Sequence, residues 1–201
     1  EHKFVGHTAM LRGARKLATR ALAPSSRRAL SSAAEPPILV ERSGRIATIT
    51  LNRPAVLNAM TADMGDHFTA AVRELSAAGD EVGAVVVTGA GKAFSAGGDL
   101  DFLAARAADA PHRNAHIMRR FYERFLCVRR LPVPVVAAIN GPAVGAGLCL
   151  ALACDVRVAA PKARMGVSFV TLGLHPGMGS THLLPALIGP QRAARMLLTG
   201  E

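Results

Sequence analysis

An α/β fold is expected from three features of this 201-residue chain. Short apolar, β-branched runs alternate with segments of helical period, the pattern of strands linked through helices. Two glycine-rich loops, Lys92-Ala-Phe-Ser-Ala-Gly-Gly-Asp-Leu100 and Asn140-Gly-Pro-Ala-Val-Gly-Ala-Gly147, each follow such a run and precede a helical segment. Half of the residues are hydrophobic but only 4% are aromatic, so one domain can bury a core built from Ala, Val, Leu and Met.

Ile38-Leu-Val40 and Ile46 to Leu51 read as two strands around a turn at Ser43-Gly44, a hairpin. Asn52 to Asn58 is a loop, because Pro54 lacks an N–H and disfavours helix at Arg53. Residues 61 to 77 have a helical period, with Met64, Phe68, Val72 and Leu75 on one stripe and Thr61 as N-cap. A strand over 84 to 88 leads into the first glycine loop. The polar, Ala-rich stretch 104 to 112 reads as a mobile surface segment, and a long helix is expected from about 114 to 130. A strand over 133 to 139 leads into the second glycine loop and a helix from about 147 to 153. Val156 to Ala160 is a further strand, Met165-Gly-Val167 a possible short one, and Gln191 to Leu198 a closing helix.

Charge divides the chain. Residues 1 to 34 hold seven basic residues against Glu1 alone, a balance of +6, whereas the remainder holds 17 basic and 13 acidic residues, a balance of +4. From Met10 the leader is Arg- and Ser-rich and acid-free, the composition of an organelle transit peptide. We therefore expect Met10 as the start, residues 1 to 34 as a leader, 35 to 201 as the folded domain, and a mitochondrial matrix address. A disordered nucleic-acid-binding arm is the alternative for the leader. No apolar run approaches the roughly 18 residues of a membrane-spanning helix, so no membrane partner is expected. Cys127, Cys149 and Cys154 are odd in number and lack CxxC spacing, which argues against disulfides and against a metal site.

A strand–glycine loop–helix order aims unpaired N–H groups at whatever lies beyond the strand ends. Two such loops can each give one N–H to a single oxygen, the arrangement that stabilises a thioester carbonyl as it becomes an enolate or tetrahedral oxyanion.

The sequence resembles the crotonase superfamily, that of the enoyl-CoA hydratases and isomerases. The resemblance is carried by Thr50-Leu-Asn-Arg-Pro54, Leu57-Asn-Ala59, Val85-Val-Val-Thr-Gly89, the first glycine loop, Pro134-Val-Val-Ala-Ala-Ile-Asn-Gly141, Ala153-Cys-Asp155 and Gly173-Leu-His-Pro-Gly177. It implies a ClpP/crotonase-like spiral of ββα repeats and a homotrimer or hexamer for the full-length protein. It implies an acyl-CoA substrate in fatty-acid or branched amino-acid catabolism, with coenzyme A as part of that substrate and no separate cofactor. Carried over by position, the oxyanion-hole donors are the backbone N–H groups of Gly98 and Ala146. CoA and acyl contacts fall on Arg53, Ala55, Val56 and Asn58, and on Ala96, Gly97, Asp99, Leu100 and Asp101. Asp99 also reads as the cap of the helix after it.

The chain departs from the family in ways that bear on chemistry. Lysines common in the family are replaced by Ala55 and Asp101, and Arg53 is the candidate to compensate. The two glutamates that hold water in hydratases correspond to Cys149 and Phe169, and neither supplies a carboxylate. Asp155 reads as structural. His175 is the remaining acid/base candidate, because a histidine changes charge near neutral pH; a loop histidine bonded to backbone is the plainer reading. Cys149 reads as a small buried thiol rather than a nucleophile.

The expected function is thus an enoyl-CoA hydratase/isomerase family enzyme, with a catalytically inactive acyl-CoA-binding relative as the alternative. Arg119, Arg120, Arg124, Arg129 and Arg130 could form an RNA-binding helix. A solvated face with Arg119 paired to Glu123 explains them more simply, so no nucleic acid is expected. Family members continue with further helices beyond a sequence like that at Glu201, so a fragment is expected.

Overall fold

The structure, a computed structural model, describes residues 35–107 and 109–200. The leader expectation for residues 1 to 34 lies outside them. Strand β1 (Ile38–Ser43) and β2 (Ile46–Leu51) form the expected antiparallel hairpin, with Gly44 at φ +57° in its turn. β3 (Ala84–Gly89), β4 (Val135–Ile139) and β6 (Val156–Ala159) then add in parallel, in the order β1-β2-β3-β4-β6. Alternate residues of β3 and β4 are buried and those between them half-buried, so one face of the sheet meets the core and the other is partly covered.

A second layer runs alongside. Parallel bridges join Met60 to Gly98 and Ser95 to Ala143, and β5 (Ala143–Val144) pairs in parallel with β7 (Met165–Gly166). Each turn of chain thus gives one long strand to the main sheet and a short piece to the second layer, the ββα spiral.

Helix α1 (Ala62–Ala77) follows the stripe expected for it. Met64, Phe68, Val72 and Leu75 are buried, and Thr61 Oγ1 accepts from Met64 N–H at 3.2 Å. α1 packs against α3 (Pro111–Leu126), where Phe68 meets Phe125 at 5.7 Å between ring centroids. α3 starts earlier than expected because Pro111 suits a first helical turn, and it ends at Leu126 in a 3-10 turn, Cys127–Arg130. The segment read as mobile surface is instead largely helical: α2 covers Leu100–Ala107, and only a short link separates it from α3. Asp99 explains the start of α2, since its Oδ1 accepts from Phe102 N–H at 3.2 Å.

α4 (Ala146–Ala153) is buried along its whole length. Two closing helices follow, α5 (Ser180–Ile188), which tolerates Pro185 inside it, and α6 (Pro190–Thr199). Asp155 is structural, accepting from Val135 N–H at 2.8 Å. Arg124, not Arg119, makes the ion pair expected on α3: it reaches Asp66 on α1, because its face packs toward that helix while Arg119 and Glu123 face solvent. Among the described residues no helix is long and apolar enough to cross a membrane.

Candidate active site

The carboxyl ends of β2, β3 and β4 (Leu51, Gly89, Ile139) open into three loops on one side of the sheet, the usual side for ligands in parallel α/β folds. These are the loop from Asn52 to Thr61 and the two glycine loops.

Asn58 ties the first two together. It is fully buried, with φ +56°; its Oδ1 accepts from Arg53 N–H at 2.9 Å, and its Nδ2 donates to the Ala90 and Ala93 carbonyls at 2.9 and 2.8 Å. Ser95, also fully buried, donates to the Asn58 carbonyl at 2.8 Å and accepts from Gly97 N–H at 3.2 Å. The second glycine loop is bonded directly to the first: Phe94 and Ser95 N–H donate to the Pro142 carbonyl at 3.0 and 3.1 Å, and Val144 N–H donates to the Ser95 carbonyl at 3.0 Å. Gly97, at φ +95°, lets them touch. A methyl group there would lie 2.7 Å from the Val144 carbonyl oxygen and 3.5 Å from the Ala146 nitrogen.

This wiring frees both expected donors. Met60 N–H donates to the Gly97 carbonyl at 2.8 Å, and Asp99 N–H donates to the Met60 carbonyl at 3.0 Å. In a parallel bridge the residue between those two points its own N–H the other way, so Gly98 N–H faces away from Met60. Ala146 is the first residue of α4, where an N–H has no intrahelical partner and the helix dipole favours negative charge. Among the described residues neither N–H meets an acceptor. Gly98 and Ala146 line the same cavity of about 600 Å³, with Ala96, Gly97, Leu100, Phe169 and His175 also on its wall.

The remaining expected residues divide. Ala55 and Val56 are exposed in a 3-10 turn, Pro54–Val56, and Asp101 is exposed at the start of α2. Arg53 is built into its own loop: Nη1 donates to the Ala59 carbonyl at 2.7 Å and lies 3.9 Å from Asp99 Oδ2. The side chains of Arg53, Asn58, Asp99 and Asp101 are not on the cavity wall. His175 is exposed to the cavity. Cys149 is fully buried, its thiol facing the Gly177 carbonyl at 3.8 Å, and burial pushes it up to about 12. A protonated thiol held there is no nucleophile at neutral pH. Among the described residues no group of three His, Cys, Asp or Glu could hold a metal ion.

Several wall residues escaped the sequence reading. Tyr122 approaches Gly177 so closely that a methyl group there would meet its hydroxyl at 2.1 Å, and burial, with Cys149 beside it, raises its pKa. Met118, Phe121, Tyr122 and Phe125 form an apolar stripe at helical spacing that would have identified the inner face of α3. Arg106, Asp109 and Asn114 lay in and beside the stretch read as mobile.

The enoyl-CoA hydratase/isomerase family profile matches residues 41–201. A probable enoyl-CoA hydratase of Mycobacterium tuberculosis is 47% identical over 165 residues, covering 82% of this chain and 62% of that protein. Another, from Rhodobacter capsulatus, is 42% identical over the same length and the same shares. Among solved structures, an enoyl-CoA hydratase from Bacillus anthracis superposes with a TM-score of 0.75 at 36% identity, over 82% of this chain and 63% of that one. The chain therefore spans less than two thirds of the length of these relatives. Their sources overturn the mitochondrial expectation: mycobacteria, Rhodobacter and Bacillus are bacteria, which have no mitochondria. The Arg/Ser-rich composition that suggested a transit peptide finds no support in them. With its profile match, its relatives and its spiral of ββα units in agreement, this chain belongs to the enoyl-CoA hydratase/isomerase family.

Proposed function

We propose that this chain carries the thioester site of an acyl-CoA-processing enzyme, with Gly98 and Ala146 N–H as its oxyanion hole. The observation that supports it most is the pairing of two acceptor-less N–H groups, from two hydrogen-bonded loops, on the wall of one cavity. The thioester oxygen accepts from both. As a proton leaves or a nucleophile adds, negative charge grows on that oxygen, and fixed dipoles stabilise it without reorganising. Backbone of Ala96 to Asp101 and of Arg53 to Asn58 borders the CoA moiety. Because Arg53 is held within its loop, CoA contacts there rest on backbone more than on cationic side chains. The substrate pathway is fatty-acid or branched amino-acid catabolism, and the full-length protein is a homotrimer or hexamer.

Proton transfer falls to His175, the histidine on the cavity wall. The hydratase glutamates have no equivalent here, since Cys149 is a buried thiol and Phe169 an apolar wall residue. That same observation favours a second reading, an acyl-CoA-binding protein without turnover. A panel of acyl-CoA thioesters separates the two. The enzyme reading expects turnover of at least one thioester, and His175→Ala should lower kcat by about 10²–10⁴ while leaving thioester affinity nearly unchanged. Binding without turnover across the panel supports the second reading, and full activity in His175→Ala removes the histidine from the mechanism.

A further inference from the structure

The far wall of the cavity carries polar chemistry that an alkyl chain cannot use. Around Leu100, Leu103, Met118 and Phe121 the lining is apolar, but Arg106, Asp109 and Asn114 interrupt it. From Leu100 to Arg106 the helix rises by about 9 Å, so this polar group stands well away from Gly98 along α2.

The cluster is held in place and carries excess positive charge. Asp109 Oδ2 lies 3.6 Å from Arg106 Nη1, and Asp109 Oδ1 lies 2.8 Å from Arg113 Nε, so one carboxylate serves two guanidinium groups. Asn114 Nδ2 donates to the Arg106 carbonyl at 2.5 Å and to the Asp109 carbonyl at 3.3 Å, which ties the first turns of α3 to both residues. The Arg106 guanidinium carbon sits 5.6 Å from the Phe102 ring centroid. Its side chain is only 23% exposed. Among the described residues no protein group partners Arg106 Nε or Asn114 Oδ1, although both atoms are buried. Charged and polar groups in an apolar wall are costly unless something pairs with them.

We propose that this wall is a specificity subsite for the distal end of the acyl chain, selecting a chain that ends in an oxygen function, a carboxylate or a hydroxyl, over an alkyl terminus. The inference rests on the thioester site proposed above and adds its substrate class. An oxygen at the chain end accepts from Arg106. A carboxylate answers the surplus positive charge of the cluster, and a hydroxyl oxygen accepts from the same guanidinium group.

The test is calorimetric binding of three acyl-CoA thioesters of equal chain length, ending in methyl, hydroxyl and carboxylate, to the full chain. At least one oxygen-ended thioester should bind about tenfold more tightly than the methyl-ended one, and Arg106→Met should cut that preference to about twofold or less. Arg106→Lys keeps the charge and should retain part of a carboxylate preference, which separates a binding role from a packing role. Methyl-ended thioester binding as tightly as both others, or a preference that survives Arg106→Met, overturns the subsite while leaving the thioester reading standing. If none of the three binds the parent protein, the thioester reading itself fails, and the subsite with it.

Discussion

Gly98 is freed by strand pairing and Ala146 by a helix start, and the loops that carry them differ as much in what stands behind them. The helix after the second loop, α4, is buried on every side. The helix after the first, α2, lies at the cavity, with Leu100 at its start 70% exposed. One of the two N–H groups is therefore anchored in the core and the other beside the open wall of the cavity. The second loop should tolerate little change, because any shift is transmitted into close packing. The first should tolerate change at Gly98 and along α2, where side chains can give, but not at Gly97, which the Val144 carbonyl crowds.

A series of Gly→Ala variants tests that contrast, from the largest effect to the smallest. A methyl group on Gly141 would lie 2.1 Å from the Lys92 carbonyl oxygen, a backbone atom that cannot step aside. Gly141→Ala should cost about 3 kcal/mol or more. On Gly147 the methyl would lie 2.6 Å from the Ser95 carbonyl oxygen, and Gly147→Ala should cost about 1–3 kcal/mol. On Gly98 it would meet only the Leu103 side chain, at 3.4 Å, so Gly98→Ala should stay within about 1 kcal/mol of the parent. Urea unfolding midpoints give the order. If Gly98→Ala is as damaging as Gly141→Ala, the two loops are equally rigid and the comparison is wrong.

A smaller effect sharpens the same point from the buried side. The Cys149 thiol on α4 is raised from 9.0 to about 12 by burial. A thiol whose folded pKa lies above its unfolded value contributes stability that is fully present below about pH 9 and is lost as pH rises toward 12. Unfolding midpoints should accordingly fall across that window, and fall less in Cys149→Ala. Alkylation of Cys149 in the native protein should be absent at neutral pH. Rapid labelling there would mean that α4 is not the closed core described here.

The local rules written into the sequence explain which parts were legible. The β1–β2 hairpin followed from its glycine turn, α1 from a stripe of four apolar residues behind a threonine cap, and α2's start from Asp99. The glycine loops announced themselves because strand, loop and helix occur in order in the chain. What stayed hidden depends on contacts between distant segments. Asn58 looks like a loop residue or a ligand contact, yet its side chain joins backbone groups at Arg53, Ala90 and Ala93. The two-residue strands β5 and β7 are too short for any period to register. Residues 104 to 112 look polar and loose in sequence, yet Arg106 pairs with Asp109 and Asp109 with Arg113 just beyond the stretch, contacts that no period registers. Likewise, Pro185 obscured α5, since a proline inside a nine-residue helix breaks the usual stop signal.

The two-donor hole is the claim on which the rest depends, and a crystal structure of the protein with acetoacetyl-CoA bound tests it most directly. The thioester oxygen should lie about 2.7–3.1 Å from both the Gly98 and Ala146 nitrogens. A thioester oxygen seated elsewhere in the cavity, or touching only one of the two nitrogens, would contradict the account.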